Sequence, residues 1–427
     1  MNCLKVGSIK GSNSNAMPGP RTVVKDGLLR TFVSLRYRNF RLLWFGQVCQ
    51  AATMWTEQVV RNWLTLELTG SALQLGTVNL VRVVPSIMFG LWGGVLADRI
   101  DRKKLLLVSQ AWSALIFGIM MWVVLSGNLQ LWHLYGSAIA LGLGQSASQP
   151  VRTSLIPLIL PKQFLLNALT LNSIAINLTR LVLPALVGIG VALYSPGWAY
   201  TLCLVFYVAM FCFTLFIQVQ NLPRNEQRGS MIHDFTEALK FVFHDRLLLA
   251  LLILPAGPLA FAFSFQTLLP VYATRSLDMG VGTYGILMSA GGVGALIAGM
   301  ALISRTQVLR QGQLQILAGV SYGLALFALA ITSWIYIALL VMFCAAASQA
   351  VFRATNNSLL LGTAPPELRG RIMGLVGLVQ GLVPVSAVLG GWIADTFGIS
   401  MAMATLGGIC LLIVVSVTLW EPRTRTL

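Results

Sequence analysis

The chain has 427 residues, 56% of them hydrophobic and only 10% charged, a balance that excludes a soluble globular protein of this size. Apolar stretches of bilayer-crossing length recur without the alternation of barrel strands, so the expected class is an all-α membrane protein. The net charge of +16 does not point to nucleic acid, because Lys and Arg collect in the tails and in alternate loops, as they do on the cytoplasmic side of membrane proteins.

Residues 1–39 form a polar, basic lead that is expected to be a cytoplasmic tail. The first apolar run begins near Phe40, no cleavable signal peptide is recognised before it, and Met17 is a second possible start. Twelve spans are predicted, at 40–68, 74–97, 104–126, 131–160, 163–194, 198–219, 246–274, 280–304, 310–332, 335–362, 366–396 and 398–420. They divide into a six-helix bundle over 40–220 and a second over 246–421, followed by a cytoplasmic tail at 422–427. Both termini then face the cytoplasm from a multi-pass protein of the cell membrane. Arg61, Arg82, Arg152, Arg180 and Arg353 lie deep within spans, and only Arg275 falls in a loop on the outer side. Between the bundles, 221–245 begins as a polar linker with Pro223. It continues with Phe235, Leu239, Phe241 and Val242 beside Asp234, Glu237 and Lys240. That pattern predicts an amphipathic helix along the inner membrane surface; a solvated loop is the plainer alternative.

The turn after span two carries the sharpest local signal. Gly90-Leu91-Trp92-Gly93-Gly94-Val95-Leu96-Ala97 closes an apolar run in small residues, and Asp98, Arg99, Asp101, Arg102, Lys103 and Lys104 follow at once. So dense a charge cluster cannot lie in hydrocarbon and fits a tight cytoplasmic turn. Gly90 and Gly94, four apart, share a helix face and admit a close neighbour. Asp98 is placed to meet a helix N-terminus or an arginine. With Gly94, Leu96, Ala97, Asp98, Arg99, Arg102 and Lys103 in register, the stretch resembles the signature loop between helices 2 and 3 of the major facilitator superfamily. Asp101 stands where that pattern has a second glycine. This is similar to the branch of siderophore exporters, such as enterobactin exporters, and macrolide-efflux proteins, the transmembrane secretion effectors. The resemblance implies two pseudo-repeat bundles of six helices, transport by alternating access, and a site between them at mid-membrane. If the halves close at this end, Asp98 can meet Arg369-Gly370-Arg371 at the start of span eleven while Arg99 and Arg102 engage nearby acids or carbonyls. That would be a charged latch for an outward-open state.

The halves also echo one another at an offset near 200. Ser148-Gln149-Pro150-Val151 parallels Ser348-Gln349-Ala350-Val351, and Pro184 parallels Pro384. A parallel repeat fits the two-bundle plan, with chance likeness among apolar helices as its rival.

Ionisable groups inside spans are costly and mark function by default. Span one carries Glu57 and Arg61, four apart on one face, and span two carries Arg82 at similar depth, so Glu57 is expected to pair with either or both. Functionally, Glu57 would be the carboxylate whose protonation changes in transport; the plainer reading is an ion pair that only holds helices. Gln149 and Arg152 in span four, Asn172, Asn177 and Arg180 in span five, and Gln266 in span seven are expected at a central cavity. So are Arg353 and Asn356 in span ten and Gln380 in span eleven, with helix-to-helix hydrogen bonding as the alternative. Helix bends are expected at Pro184, with Gly188 permitting close approach, at Pro258 and at Pro384. Pro184 and Gly188 resemble the Gly-Pro-x-x-x-Gly segment of the superfamily's exporters, with Leu183 in place of its first glycine. Phe261, Phe263 and Phe265 would give span seven an aromatic cavity face.

No Gly-x-x-x-x-Gly-Lys-Ser/Thr loop occurs, and no His, Cys and carboxylate spacing suggests a metal or disulfide framework. No nucleophile arrangement suggests an enzyme. No cofactor is therefore expected, and a proton gradient would supply the energy. The reading is a monomeric secondary active exporter of an amphipathic or hydrophobic small organic compound, siderophore- or drug-like, by proton antiport. Its partners would be that substrate and the lipid bilayer, not nucleic acid. A lysophospholipid transporter and a non-transporting membrane sensor are the alternatives.

Overall fold

In hydrocarbon every backbone N–H and C=O must be paired within the segment, and a helix does this without a partner strand. The computed structural model describes residues 33–99, 101–218, 231–304 and 310–427, and no strand occurs among the described residues. The first group of helices is α1 (Arg38–Thr69), α2 (Ala72–Arg99), α3 (Arg102–Leu125), α4 (Leu131–Ile159), α5 (Leu165–Leu193) and α6 (Pro196–Leu215). An amphipathic segment, α7 (Met231–His244), leads into α8 (Arg246–Ile253) and α9 (Phe265–Arg275). Then come α10 (Val281–Ile303), α11 (Gln311–Ile331), α12 (Ile335–Thr363), α13 (Arg369–Gln380), α14 (Val383–Thr396) and α15 (Ile399–Trp420). The bounds fall within a few residues of the predicted segments.

Among the described residues, nine helical segments are long and apolar enough to cross a membrane, with α8–α9 and α13–α14 each counted as one pass. The chain is therefore a multi-pass membrane protein. The long helices outside that set are α1, α2 and α4, which carry Glu57, Arg61, Arg82 and Arg152. In α1 and α4 the polar side chains lower the very hydropathy by which a span is recognised.

Helix ends have local causes. Gly70 ends α1 in a left-handed conformation (φ 62°), and its N–H reaches Leu66 O at 2.7 Å. Asp101 begins α3: its carboxylate accepts the N–H groups of Lys103 and Lys104 at 2.8 and 3.2 Å. The residue that departs from the superfamily pattern is thus an N-cap. Asp245 caps α8 in the same way, through the N–H groups of Leu247 and Leu248.

Within the first group, α1 packs on α5 and α6, α2 on α4, and α3 on α4 and α6. In the second, α10 packs on α12, and α11 on α12 and α15. The groups meet chiefly where α2 crosses α14 and α5 crosses α10. Both crossings are close enough to need glycine. A Cβ on Gly76 would stand 2.6 Å from Val388 Cα, and one on Gly188 would stand 3.0 Å from Gly285 Cα. The close approach expected at Gly188 is therefore present. Next to Pro184, the N–H of Ala185 donates to Ser289 Oγ of α10 at 2.9 Å. One core runs through both groups, from Trp55, Val59 and Phe117 to Phe265, Tyr284 and Tyr322.

Two passes of the second group are broken. Between α8 and α9 lie a π-helical turn at Ala256–Phe261, which includes Pro258, and a tighter turn at Ala262–Ser264. Between α13 and α14 lie Gly381 and Leu382, after which Pro384 sits in the first turn of α14. Pro184 lies inside the continuous α5. Helix α7 is tied to the start of α13 by Arg371 Nη1 and Glu237 Oε2 at 2.5 Å, and its Val242 is buried with Leu248, Leu251 and Ile372.

Candidate functional site

A cavity of about 300 Å³ lies between the two groups of helices. Its first wall is Met54, Glu57, Gln58 and Arg61 of α1 with Asn79, Arg82 and Val83 of α2. Its second is Leu259, Phe263 and Gln266 at the first helix break, Arg353 of α12, and Gln380, Val383 and Pro384 at the second break. Both breaks in the second group therefore open onto this space. Interruptions of the regular α-helix at such depth are tolerated where they line a polar cavity. A larger groove, of about 410 Å³, lies between α11 and α15 and is walled mainly by side chains such as Ile316, Leu317 and Val415. It is confined to one group.

The charged centre of the cavity is Glu57. Its Oε1 accepts from Arg61 Nε at 2.6 Å, a pair made possible by the i, i+4 spacing on α1, and it also pairs with Arg82 Nη1 of α2. Glu57 and Arg61 are 2% and 3% exposed, so the carboxylate and its two guanidiniums form a compact buried triad. From there the network continues: Arg61 Nη1 donates to Asn62 Oδ1 at 3.3 Å, and Asn79 Nδ2 donates to the same oxygen at 3.0 Å. Asn62 Nδ2 donates to Tyr284 Oη of α10 at 3.4 Å, which carries the network across to the second group. Asn62, Asn79 and Tyr284 were not singled out from the sequence. The available signal was two asparagines in apolar spans, one of them beside Arg61.

The predicted cavity residues separate into two sets. Glu57, Arg61, Arg82, Gln266, Arg353 and Gln380 line the cavity. Arg180 stacks over the Trp55 ring at 5.5 Å to its centroid. Arg152 is buried within the first group, with Nη2 3.0 Å from Met210 Sδ and Nη1 near Gly46. Asn356 is held between α11 and α12 by Gln315 Nε2 at 2.7 Å, the helix-to-helix alternative. Asn177 donates back to Ser173 O at 3.0 Å within α5, and Asn172 of the same helix is half-buried.

The two halves treat their repeated arginine differently. Arg152 follows directly on Ser148-Gln149-Pro150-Val151, whereas Phe352 intervenes between Ser348-Gln349-Ala350-Val351 and Arg353. One residue turns a helical side chain by about 100°. That phase step accounts for one arginine facing its own bundle and the other facing the cavity.

At the end of the molecule marked by Gly70, Asp395 of α14 and the first turn of α2 form an ion-supported junction, with Arg275 alongside. At the opposite end, Arg369 Nε donates to Ala364 O at 3.3 Å and Arg371 pairs with Glu237. Arg102 is half-buried at the start of α3. The surroundings of Gly90, Gly94, Asp98, Arg99 and Gln149 lie outside the described residues, so the expected latch at that turn does too.

The chain is 24% identical to the staphyloferrin A transporter of Staphylococcus aureus over 358 residues, covering 83% of this chain and 89% of that protein. It is 23% identical to macrolide efflux protein A of Streptococcus pyogenes over 384 residues, covering 86% of this chain and 92% of that protein. Its fold matches the crystal structure of a point mutant of the nucleoside transporter NupG with a TM-score of 0.73 at 10% identity, over 89% of this chain and 98% of that one. A family profile described as transmembrane secretion effector matches residues 29–425, and the chain belongs to that family of major facilitator superfamily transporters, not to a family of enzymes.

Proposed function

We propose that the protein is a secondary active exporter of an amphipathic or hydrophobic small organic compound, siderophore- or drug-like, that works by alternating access and exchanges its substrate for protons. Twelve spans in two six-helix bundles would rock about the cavity, with both termini and the Asp98 turn on the cytoplasmic side of the cell membrane. The observation that carries this reading is the placement of the Glu57–Arg61–Arg82 triad on a cavity walled by both halves of the chain. A buried ionisable group on a crevice between two movable bodies is the arrangement that lets access and charge state be coupled. Among the described residues, Glu57 is the one acidic side chain lining this cavity, and it is the proposed proton-exchanging group. The names of two relatives, a staphyloferrin A transporter and a macrolide efflux protein, support transport of a siderophore- or drug-like compound.

Counterflow in proteoliposomes containing the purified chain tests the carrier reading, using candidate siderophores and macrolides inside and outside. Substrate-dependent exchange is expected, and acidification of the trans side should accelerate net export. In Glu57→Gln, counterflow should persist in part while the response to a pH gradient disappears. An unchanged pH-gradient response in that variant would remove Glu57 from coupling, and absence of counterflow for every compound would remove the carrier reading.

A further inference from the structure

The cavity's charges do not balance. Among the described residues, three guanidiniums, from Arg61, Arg82 and Arg353, face one carboxylate, Glu57, which leaves two positive charges in excess. Glu57 is already engaged by Arg61 and Arg82. Arg353 has no acidic partner and no hydrogen-bond partner among the described residues, and it points into the cavity from the other half of the chain. Arg180 also lacks an acid among the described residues; its face lies on Trp55, and its charge is near enough to Arg353 for the two to repel. Gln266, 7% exposed, has an unpartnered amide oxygen at the same wall. Around these polar groups stand Met54, Leu259 and Phe263.

Uncompensated cations at membrane depth are costly, and a ligand of opposite charge removes that cost while making bonds. A guanidinium offers a planar fork that fits a carboxylate or phosphate with two parallel hydrogen bonds. We propose that the ligand of this cavity is an amphipathic organic anion whose acidic group is held by Arg353, with its apolar body against Met54, Leu259 and Phe263. The inference deepens the transport reading and rests on the same cavity. It selects among the compounds that reading allows, disfavouring cationic drugs and favouring acids. The anion could be a soluble organic acid or the headgroup of a lysolipid, which share the chemistry that Arg353 reads.

The test uses the full chain in nanodiscs of neutral lipid and three probes with one scaffold: 4-phenylbutyrate, 4-phenylbutanol and 4-phenylbutylamine. Saturation-transfer NMR measures their binding. The acid should bind, and the alcohol and amine should bind at least about tenfold more weakly, the scale of one charge-assisted hydrogen-bonded contact. Arg353→Gln should weaken the acid about tenfold with the unliganded melting temperature unchanged or raised, because that arginine holds no partner, and Arg353→Lys should retain part of the affinity. Arg180→Gln should weaken it less. Displacement of the acid by lysophosphatidylglycerol but not lysophosphatidylcholine would support the anion and assign it to a lipid source. Failure of the acid to bind, equal or better binding of the amine, or unchanged acid affinity in a folded Arg353→Gln protein would overturn the proposal. Acid binding without counterflow would overturn the carrier reading instead, and counterflow of amines alone would do the reverse.

Discussion

Asp395 caps a helix in the other half of the chain: Ser71, 324 residues away, donates its hydroxyl to Asp395 Oδ2 at 2.6 Å. The N–H groups of Ala72 and Leu73, at the start of α2, donate to the same carboxylate at 2.9 Å each. Ser71 Oγ in turn accepts the N–H of Gln74 at 3.3 Å. The otherwise unpaired donors of the first turn of α2 are thus satisfied jointly by its own N-cap and by an acid from α14. Arg275 closes the junction, giving Nη2 to Gly70 O at 2.6 Å and to Asp395 Oδ1 at 3.2 Å.

Removing the carboxylate should loosen this end of the molecule. Asp395→Ala strands the N–H groups of Ala72 and Leu73 and leaves Arg275 without its acid. Each charge-assisted bond is worth about 1.5–3 kcal/mol when buried, and less here because Asp395 is partly exposed. Loss of the set should shift the closed-to-open ratio at least about tenfold towards open. Spin labels at Asn128 and Ser333, in exposed loops at this end of the two halves, should report a longer and broader distance distribution in the variant. Asp395→Asn should fall between the two, since the amide oxygen still accepts. An unchanged distribution in Asp395→Ala would show that the glycine crossings alone keep this end shut.

Those crossings make their own prediction. A Cβ added at Gly285 would collide with the carbonyl oxygen of Pro184, and backbone cannot step aside as a flexible side chain can. Gly285→Ala should therefore separate α5 from α10 and mimic the loss of Asp395 in the same distance measurement. Gly377, in α13, is the control: nothing lies within 4 Å of its added Cβ. Gly377→Ala should be neutral or stabilising by up to about 1 kcal/mol, the helix-propensity gain over glycine.

The buried triad predicts an asymmetry. Deleting Glu57 leaves Arg61 and Arg82 facing each other without a counter-ion, whereas deleting Arg82 leaves a matched Glu57–Arg61 pair. Breaking a buried pair by removing one partner costs about 3–5 kcal/mol. Glu57→Ala should thus lower the melting temperature in detergent clearly more than Arg82→Ala does. The double variant should be less damaged than the sum, because both changes disrupt one network. Equal and additive losses would mean that Arg82 and Glu57 are not energetically coupled.

How much of this could be read in the sequence depended on distance along the chain. Hydropathy placed the helices to within a few residues, since lipid allows one way to satisfy the backbone. The Glu57–Arg61 pair was accessible from i, i+4 spacing, and Arg82 from its depth in the next span. The separate fates of Arg152 and Arg353 turned on a single inserted position, Phe352, whose effect is rotational and invisible to a count of polar residues. The Asp395 junction escaped because its partner lies in the other half. A signal was nonetheless present: an acid at the C-terminal end of a helix opposes that helix's own dipole, and such a residue needs an external partner. Here the partner is the N-terminal end of α2.

Helix α7 supplies the last prediction, on what fixes the amphipathic segment against the second bundle. Its Glu237–Arg371 pair is short but exposed, with side chains 54% and 33% accessible. Exposed pairs contribute about 0–1 kcal/mol and weaken with salt. Val242 is fully buried beside Leu248 and Ile372. Glu237→Gln should therefore change amide-exchange protection of 231–244 by a few fold at most, with the difference vanishing at high salt. Val242→Asp, which forces a carboxylate into that apolar contact, should release the helix and raise its exchange rates by orders of magnitude. If the two variants released α7 to the same degree, the ion pair rather than apolar burial would be what holds it, and the ranking drawn from exposure would be wrong.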